Sequence, residues 1–249
     1  MISALCAAFR ASAWRRPDTV VIDEEGWFET RTPSSPFGNH NCVRLCGMSG
    51  ADLDARIRDI AAWQASAGVE SRWTVTPQCR PGLGEVLVRH GYGLGWGTLG
   101  MVRGVEPLER SPPEVRVHVT TDCERFARCC GEAWDLEPGF VRSIAEDMSR
   151  YLSMGKMVYV IATLDGVDVA TSHVLLAPGS GYLMGGAVLP SARGRGVYRA
   201  MVDFRLGLLR ERGIDLCTVL AVKETSAPIL PKLGFEVVGE FQDYLRSAG

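Results

Sequence analysis

Lysine is scarce in this chain: of its 27 basic residues only Lys156, Lys223 and Lys232 are lysine. That bias reads as codon composition before it reads as function. Positive charge is not in surplus either. Against 29 acidic residues the formal net charge is −2, which excludes the overall basic footprint of a nucleic-acid-binding chain. Cysteine pairs fit to hold a metal are missing. The eight cysteines stand at 6, 42, 46, 79, 123, 129, 130 and 217, none forms a C-x-x-C pair, and Cys42-x-x-x-Cys46 has no second pair to complete a zinc site. Scattered in this way they read as reduced thiols of a cytoplasmic protein. The stretch MISALCAAFRASAWRR has no basic region ahead of its apolar residues, so no signal peptide is expected. The longest uncharged run, Val169 to Ala192, is long enough to cross a membrane. Pro178-Gly179, Gly185-Gly186 and Pro190 punctuate it into strands and turns, so no membrane partner is expected.

What remains is the composition of a soluble globular protein. Hydrophobic residues make up 46% and charged residues 22% of 249, enough chain for one large domain or two small ones. The proline-rich stretch at 106–114 (EPLERSPPE) lacks apolar periodicity and reads as a linker between residues 1–105 and 115–249. In the first part, strands are expected at Thr19–Ile22, Asn41–Leu45 and Trp73–Thr76. A helix is expected over 51–67, opened by a capping-box spacing from Ser49 to Asp52, and a short one over Gly84–Arg89. Glycine at alternate positions from Gly91 to Gly97 fits no phosphate-loop or dinucleotide pattern and reads as irregular strand or loop.

The second part has clearer punctuation. A strand at Val115–Val119 precedes a capping box, Thr121-x-x-Glu124, and a helix through about Trp134; another helix starts near Pro138. Asp165-Gly166 marks a two-residue hairpin between Met157–Leu164 and Val167–Leu176. A strand at Gly181–Leu189 leads into a helix from Val197 whose stripe is Val197, Met201, Phe204 and Leu208. A strand at Asp215–Val222, a short helix at Ser226–Leu233 and a last strand at Phe235–Leu245 follow. The order is βααβββαβαβ.

One stretch carries chemistry. After the strand ends, Pro190-Ser-Ala-Arg-Gly-Arg-Gly-Val-Tyr-Arg199 places a basic, glycine-containing loop at the start of a long helix. Successive backbone N–H groups and the helix dipole favour an anion there. Arg193, Arg195 and Arg199 add positive charge, and Gly194 and Gly196 let a ligand approach the backbone closely. Such a loop is a cradle for a pyrophosphate.

Together, this element order and this loop resemble the GNAT (GCN5-related N-acetyltransferase) superfamily. Arg193-Gly194-Arg195-Gly196-Val197-Tyr198 follows that family's Q/R-x-x-G-x-G/A signature until Tyr198, which stands where the family has a small residue. Ala227-Pro-Ile-Leu-Pro-Lys-Leu-Gly-Phe235 resembles its closing helix and L-G-F turn. Within the first part, Trp73-Thr-Val-Thr-Pro77, Leu83-x-x-x-Leu87-x-x-x-Gly91-Tyr92 and Gly100-Met101 look like a degenerate half of the same kind. The resemblance implies a GNAT fold of class α/β (α+β): a mixed central sheet with helices on both faces, in two GNAT-like halves, with one cofactor site in the second. It implies acetyl-CoA, or another acyl-CoA, as co-substrate. Gly186, Ala187 and Val188 would pair with the pantetheine arm, and the amides from Gly194 through Arg195, Gly196, Val197, Tyr198 and Arg199 would hold the pyrophosphate. The family's usual tyrosine acid is replaced by Leu230 and its upstream asparagine by Lys223.

Acyl transfer to an amine needs a proton acceptor. Candidates are His173 on an apolar strand, Glu132 near a helix end and Glu224 after a strand; each also has a plainer reading, a core histidine or a solvated glutamate. Tyr198 and Thr225 are candidate proton donors, and solvent is another. Cys217 lacks a recognisable histidine and acid partner, so a buried inert thiol is expected rather than an acyl-cysteine. The expected activity is acyl-CoA-dependent N-acylation of a small-molecule amine, by a monomer or homodimer without a metal. A protein or peptide acceptor is one alternative, and a non-catalytic acyl-CoA-binding module is the other.

Overall fold

In a computed structural model, residues 1–11, 15–48, 50–108 and 114–248 of the chain are described. Ser49 of the expected capping box and residues 109–113 of the expected linker lie outside them. The first part holds helix α1 (Ile2–Ala11), strands β1 (Val20–Glu24), β2 (Trp27–Arg31) and β3 (Cys42–Cys46), helix α2 (Ala51–Ala67), β4 (Ser71–Val75), α3 (Leu83–Arg89) and β5 (Gly93–Gly104). The second runs β6 (Val115–Val119), α4 (Cys123–Trp134), α5 (Pro138–Ser153), β7 (Met157–Leu164), β8 (Val167–Ala177), β9 (Ser180–Val188), α6 (Val197–Glu211), β10 (Leu216–Val222) and β11 (Glu236–Arg246), with 3-10 turns at Pro190–Ala192 and Leu230–Leu233.

The Asp165-Gly166 hairpin forms with both residues at positive φ, 54° and 80°, as a type I′ turn requires. Several local expectations shift. Helix α4 is capped one residue later, by Asp122, whose carboxylate accepts from the Arg125 amide at 2.9 Å. The short helix expected over Ser226–Leu233 is only a 3-10 turn after a run of turns; Pro228 and Pro231 lack the N–H groups a helix would use. The glycine-rich stretch takes the strand alternative, β5, and β11 pairs along it with a register shift between Gly97 and Leu94. Two elements had not been anticipated. Helix α1 is apolar and carries Leu5, Ala8 and Phe9 into the core. Strand β2 buries both faces, Glu29 and Thr30 included, so it shows no period of two.

All eleven strands form one mixed sheet in the order β1-β2-β3-β4-β11-β5-β10-β9-β8-β7-β6. That order repeats a pattern. In each part a parallel pair, β3–β4 or β9–β10, is followed by an antiparallel neighbour taken from the other part. Strand β11 pairs with β4 (Asp243 opposite Thr74), and β5 pairs with β10 (Met101 opposite Val219). The last strand of each part is thus exchanged, and β5 and β11 pair with each other at the centre. Asp243 fastens this joint. It is 3% exposed, ion-paired with Arg72 and hydrogen-bonded by Thr74 Oγ1 at 2.8 Å.

Neighbouring residues along the strands go to opposite cores, as the pleat dictates. Ile161, Leu175 and Tyr182 join α1, α4 and α5 on one face, while Ala162, Val174 and Leu183 join α6 on the other. Around Trp27, Trp73 and the apolar sides of α2 and α3, a further core fills the first part.

Candidate functional site

Parallel pairing of β9 with β10 stops early. Gly181, Tyr182 and Leu183 pair with Cys217, Thr218 and Val219; beyond Leu183 the two strands pair no further. A bulge in β9 marks the parting, where the register against β8 shifts between Thr171–Ala187 and His173–Met184. Gly185 occupies it with φ at 56°, and a methyl group built there would lie 2.5 Å from His173 Cε1. Only glycine fits that backbone against that ring. A fork results, with the stretch Met184–Val188 paired to β8 on one edge and open toward β10 on the other.

Pro190–Gly196 closes the end of the fork. Gly194 and Gly196 take left-handed conformations, φ 77° and 76°, and Gly196 is the N-cap of α6 with no side-chain cap. The first amides of α6 therefore have no helical acceptor. Arg193 is exposed and its Nε donates to the Val188 carbonyl at 3.2 Å, while Arg195 reaches the exposed Asp165 at 3.4 Å. Arg199 lies one turn into the helix, half-buried. The expected cofactor residues are thus brought together: Gly186, Ala187 and Val188 on the open strand, 193–199 at the helix start. Their N–H groups, cations and bare glycine backbone suit a pyrophosphate with an extended arm. Tyr198 departs from openness: its ring packs on Gly186, where a methyl group would lie 3.1 Å from Cε2, and burial raises its phenol.

The three candidate bases do not converge. His173 lies within the sheet, its ring near Phe126 and Tyr159, and burial, with the charge of Arg205 adding, holds its imidazole down at about 3. It is neutral at physiological pH. Glu132 is exposed on α4 and Glu224 is exposed in the turn directly after β10. Leu230 is fully buried with Val202, Leu206 and Cys217. Burial pushes the Cys217 thiol up to about 12, so it is an inert core group. Among the described residues no group of three or more metal-ligating side chains forms, and no helix is long and apolar enough to cross a membrane.

One buried residue escaped the sequence. The buried stripe of α6 includes Val197, Met201, Arg205 and Leu209, whereas Phe204 and Leu208 are only half-buried. The stripe is turned by one position, so a guanidinium faces inward. The available signal was an arginine seven residues after Tyr198, two turns along the same face. Elsewhere, a hollow of about 800 Å³ lies between β1, β2 and α2; its Arg31 and Arg56 are already paired, with Asp59 and Glu24.

No family model matches the chain, and no curated protein matches it. Solved structures do. A GCN5-related N-acetyltransferase from Kribbella flavida superposes with a TM-score of 0.75 at 18% identity, covering 100% of this chain and 96% of that one. One from Sphaerobacter thermophilus gives 0.65 at 17%, covering 92% and 75%. A tandem GNAT protein from the clavulanic acid biosynthesis pathway gives 0.56 at 15%, covering 99% and 87%. The chain therefore has the GNAT fold, in two halves that share one sheet.

Proposed function

We propose that the chain is an acyl-CoA-dependent N-acyltransferase of the cytoplasm, taking acetyl-CoA as donor and a small-molecule amine as acceptor. The observation that carries this reading is the fork between β9 and β10 with the Arg193–Gly196 loop at its end. Bound there, the coenzyme would supply an activated thioester. The amides at 194–199 would hold its pyrophosphate, with Arg193 and Arg195 screening the charge. Gly186, Ala187 and Val188 would continue β9 into a strand-like pairing with the pantetheine arm, and an N–H of that open stretch would polarise the thioester carbonyl. The eight free cysteines agree with a reducing compartment.

The amine must reach the fork neutral. His173, neutral already and lowered to about 3, is a weak base that holds a proton poorly against water. Glu224, exposed beside the end of β10, is better placed to receive a proton relayed through water. The N-terminal half supplies β5, which pairs with β10 and so extends the sheet that carries the fork.

Thiol release from acetyl-CoA in the presence of a panel of amines, amino acids and peptides tests the reading. Release with a small amine is expected, and a Gly196→Val variant should lose coenzyme affinity by at least tenfold in calorimetry. Unchanged affinity in that variant would sink the cradle assignment. Binding without turnover on any acceptor would favour a non-catalytic module, and turnover on peptides alone a protein acceptor.

A further inference from the structure

Arg205 is the one charged group buried on the inner stripe of α6. It is 2% exposed, and its Nε donates to the Met201 carbonyl at 3.0 Å. The titratable groups around it are the Tyr198 phenol from the same helix, the Cys217 thiol from β10 and the His173 imidazole from β8. No carboxylate pairs with it among the described residues. Its guanidinium end lies beside Gly186 of the fork, on the α6 face and next to the Tyr198 ring: a methyl group built on Gly186 would lie 4.0 Å from Nη2. Buried arginines are normally paired, because an uncompensated charge in a low-dielectric interior is costly. One left unpaired at the wall of a ligand groove marks a place where negative charge arrives during function.

We infer that Arg205 is the leaving-group residue, holding the coenzyme thiolate that departs when the acyl group moves to the acceptor. The assignment rests on the acyl-CoA reading above. In the step, the amine nitrogen attacks the thioester carbonyl carbon, a C–N bond forms and the C–S bond breaks with its electron pair going to sulfur. The amine proton leaves to water. The thiolate, paired with the guanidinium, is protonated by solvent on release. Arginine does not itself donate that proton, since it stays charged; it acts as a fixed charge already in place where negative charge develops. A thiol of ordinary pKa near 8.5 needs no more than that near neutrality.

Calorimetry of the full chain with free coenzyme A and with acetyl-CoA, from pH 6 to 9, tests this without turnover. Coenzyme A affinity should climb roughly tenfold or more over that range, because lowering a bound thiol by one pKa unit is a tenfold preference for its thiolate. Acetyl-CoA, which has no thiol, should show no such climb. His173, held at about 3, and Cys217, held at about 12, do not titrate in this window, and burial pushes Tyr198 upward away from it. Arg205→Gln should remove the climb while keeping acetyl-CoA binding, and Arg205→Lys should retain part of it. A flat wild-type profile for coenzyme A, or the same climb in Arg205→Gln, overturns the assignment and leaves the acyl-CoA reading standing. Binding of succinyl-CoA tighter than acetyl-CoA, lost in Arg205→Gln, would move the cation to an acyl carboxylate and overturn it too. If neither coenzyme binds the wild type, both readings fall. Should Arg205→Gln not fold, Arg205→Lys decides: a climb smaller than that of the wild type supports the assignment, and an unchanged one overturns it.

Discussion

Replacing Asp243 by asparagine probes the joint where the two parts exchange strands. Its carboxylate is 3% exposed and meets Arg72 from β4, whose guanidinium burial would otherwise destabilise. Removing one partner of a buried pair typically costs about 3–5 kcal/mol, because the other charge is left uncompensated. Arg72 keeps a hydrogen bond to Asn39 Oδ1 at 2.5 Å, and asparagine can still accept from Thr74, so the low end, about 3 kcal/mol, is expected. For a chain of this size that corresponds to a melting temperature lower by about 6–12 °C. Differential scanning calorimetry reads the shift, and urea unfolding followed by tryptophan fluorescence checks it. Because β5 and β11 interleave, both probes should report one cooperative transition. A shift under about 2 °C, or a second transition confined to one part, would refute the reasoning that this pair couples a shared sheet. An Arg72→Met/Asp243→Leu double variant should recover most of the loss, since it buries no lone charge.

Two further outcomes follow from the site and its surroundings. Gly185→Val places a branched side chain at φ 56° against His173, so a loss of about 2–4 kcal/mol and a weaker coenzyme affinity are expected; a wild-type urea midpoint with intact binding would contradict the bulge argument. Asp147 on α5 lies between His40 Nε2 at 3.2 Å and Arg16 Nε at 3.3 Å. Burial alone would raise its carboxyl, but these partners outweigh it and hold it below the ordinary value. The stability this contributes is present above the unfolded carboxylate value, about 3.9, and is lost as pH falls through the lower folded value. Asp147→Asn should therefore flatten the acid limb of the stability curve below about pH 4, and an unchanged limb would show that another group governs it.

Local chemistry made much of the second half legible before any coordinates. Asp165-Gly166 fixes a hairpin by backbone preference alone, and Arg193–Gly196 announces a basic turn between strand and helix through turn residues and charge. Such signals are contained within a few residues of each other, so the chain states them directly. Strand β2 was not legible for the opposite reason, since burial on both faces erases the alternation that exposes a strand, whereas in α1 Ile2, Leu5, Cys6 and Phe9 do recur at helical spacing. Register on α6 was misjudged by one position, since hydrophobicity placed Phe204 and Leu208 inward and gave no cause to turn an arginine toward the core.

By itself the sequence determined the order of strands and long helices in the second half, the glycine loop and the departures at Tyr198 and Leu230. Only the tertiary structure decided that β5 and β11 change places, that β9 parts from β10 at Gly185, that His173 is held neutral and that Arg205 lies buried beside Gly186 with no carboxylate paired to it among the described residues. The exchange depends on strands more than a hundred residues apart, and the others on which of β8, β9, β10 and α6 lie side by side. Pairing and burial at that range arise from how surfaces meet in space, and no local pattern of residue types encodes them.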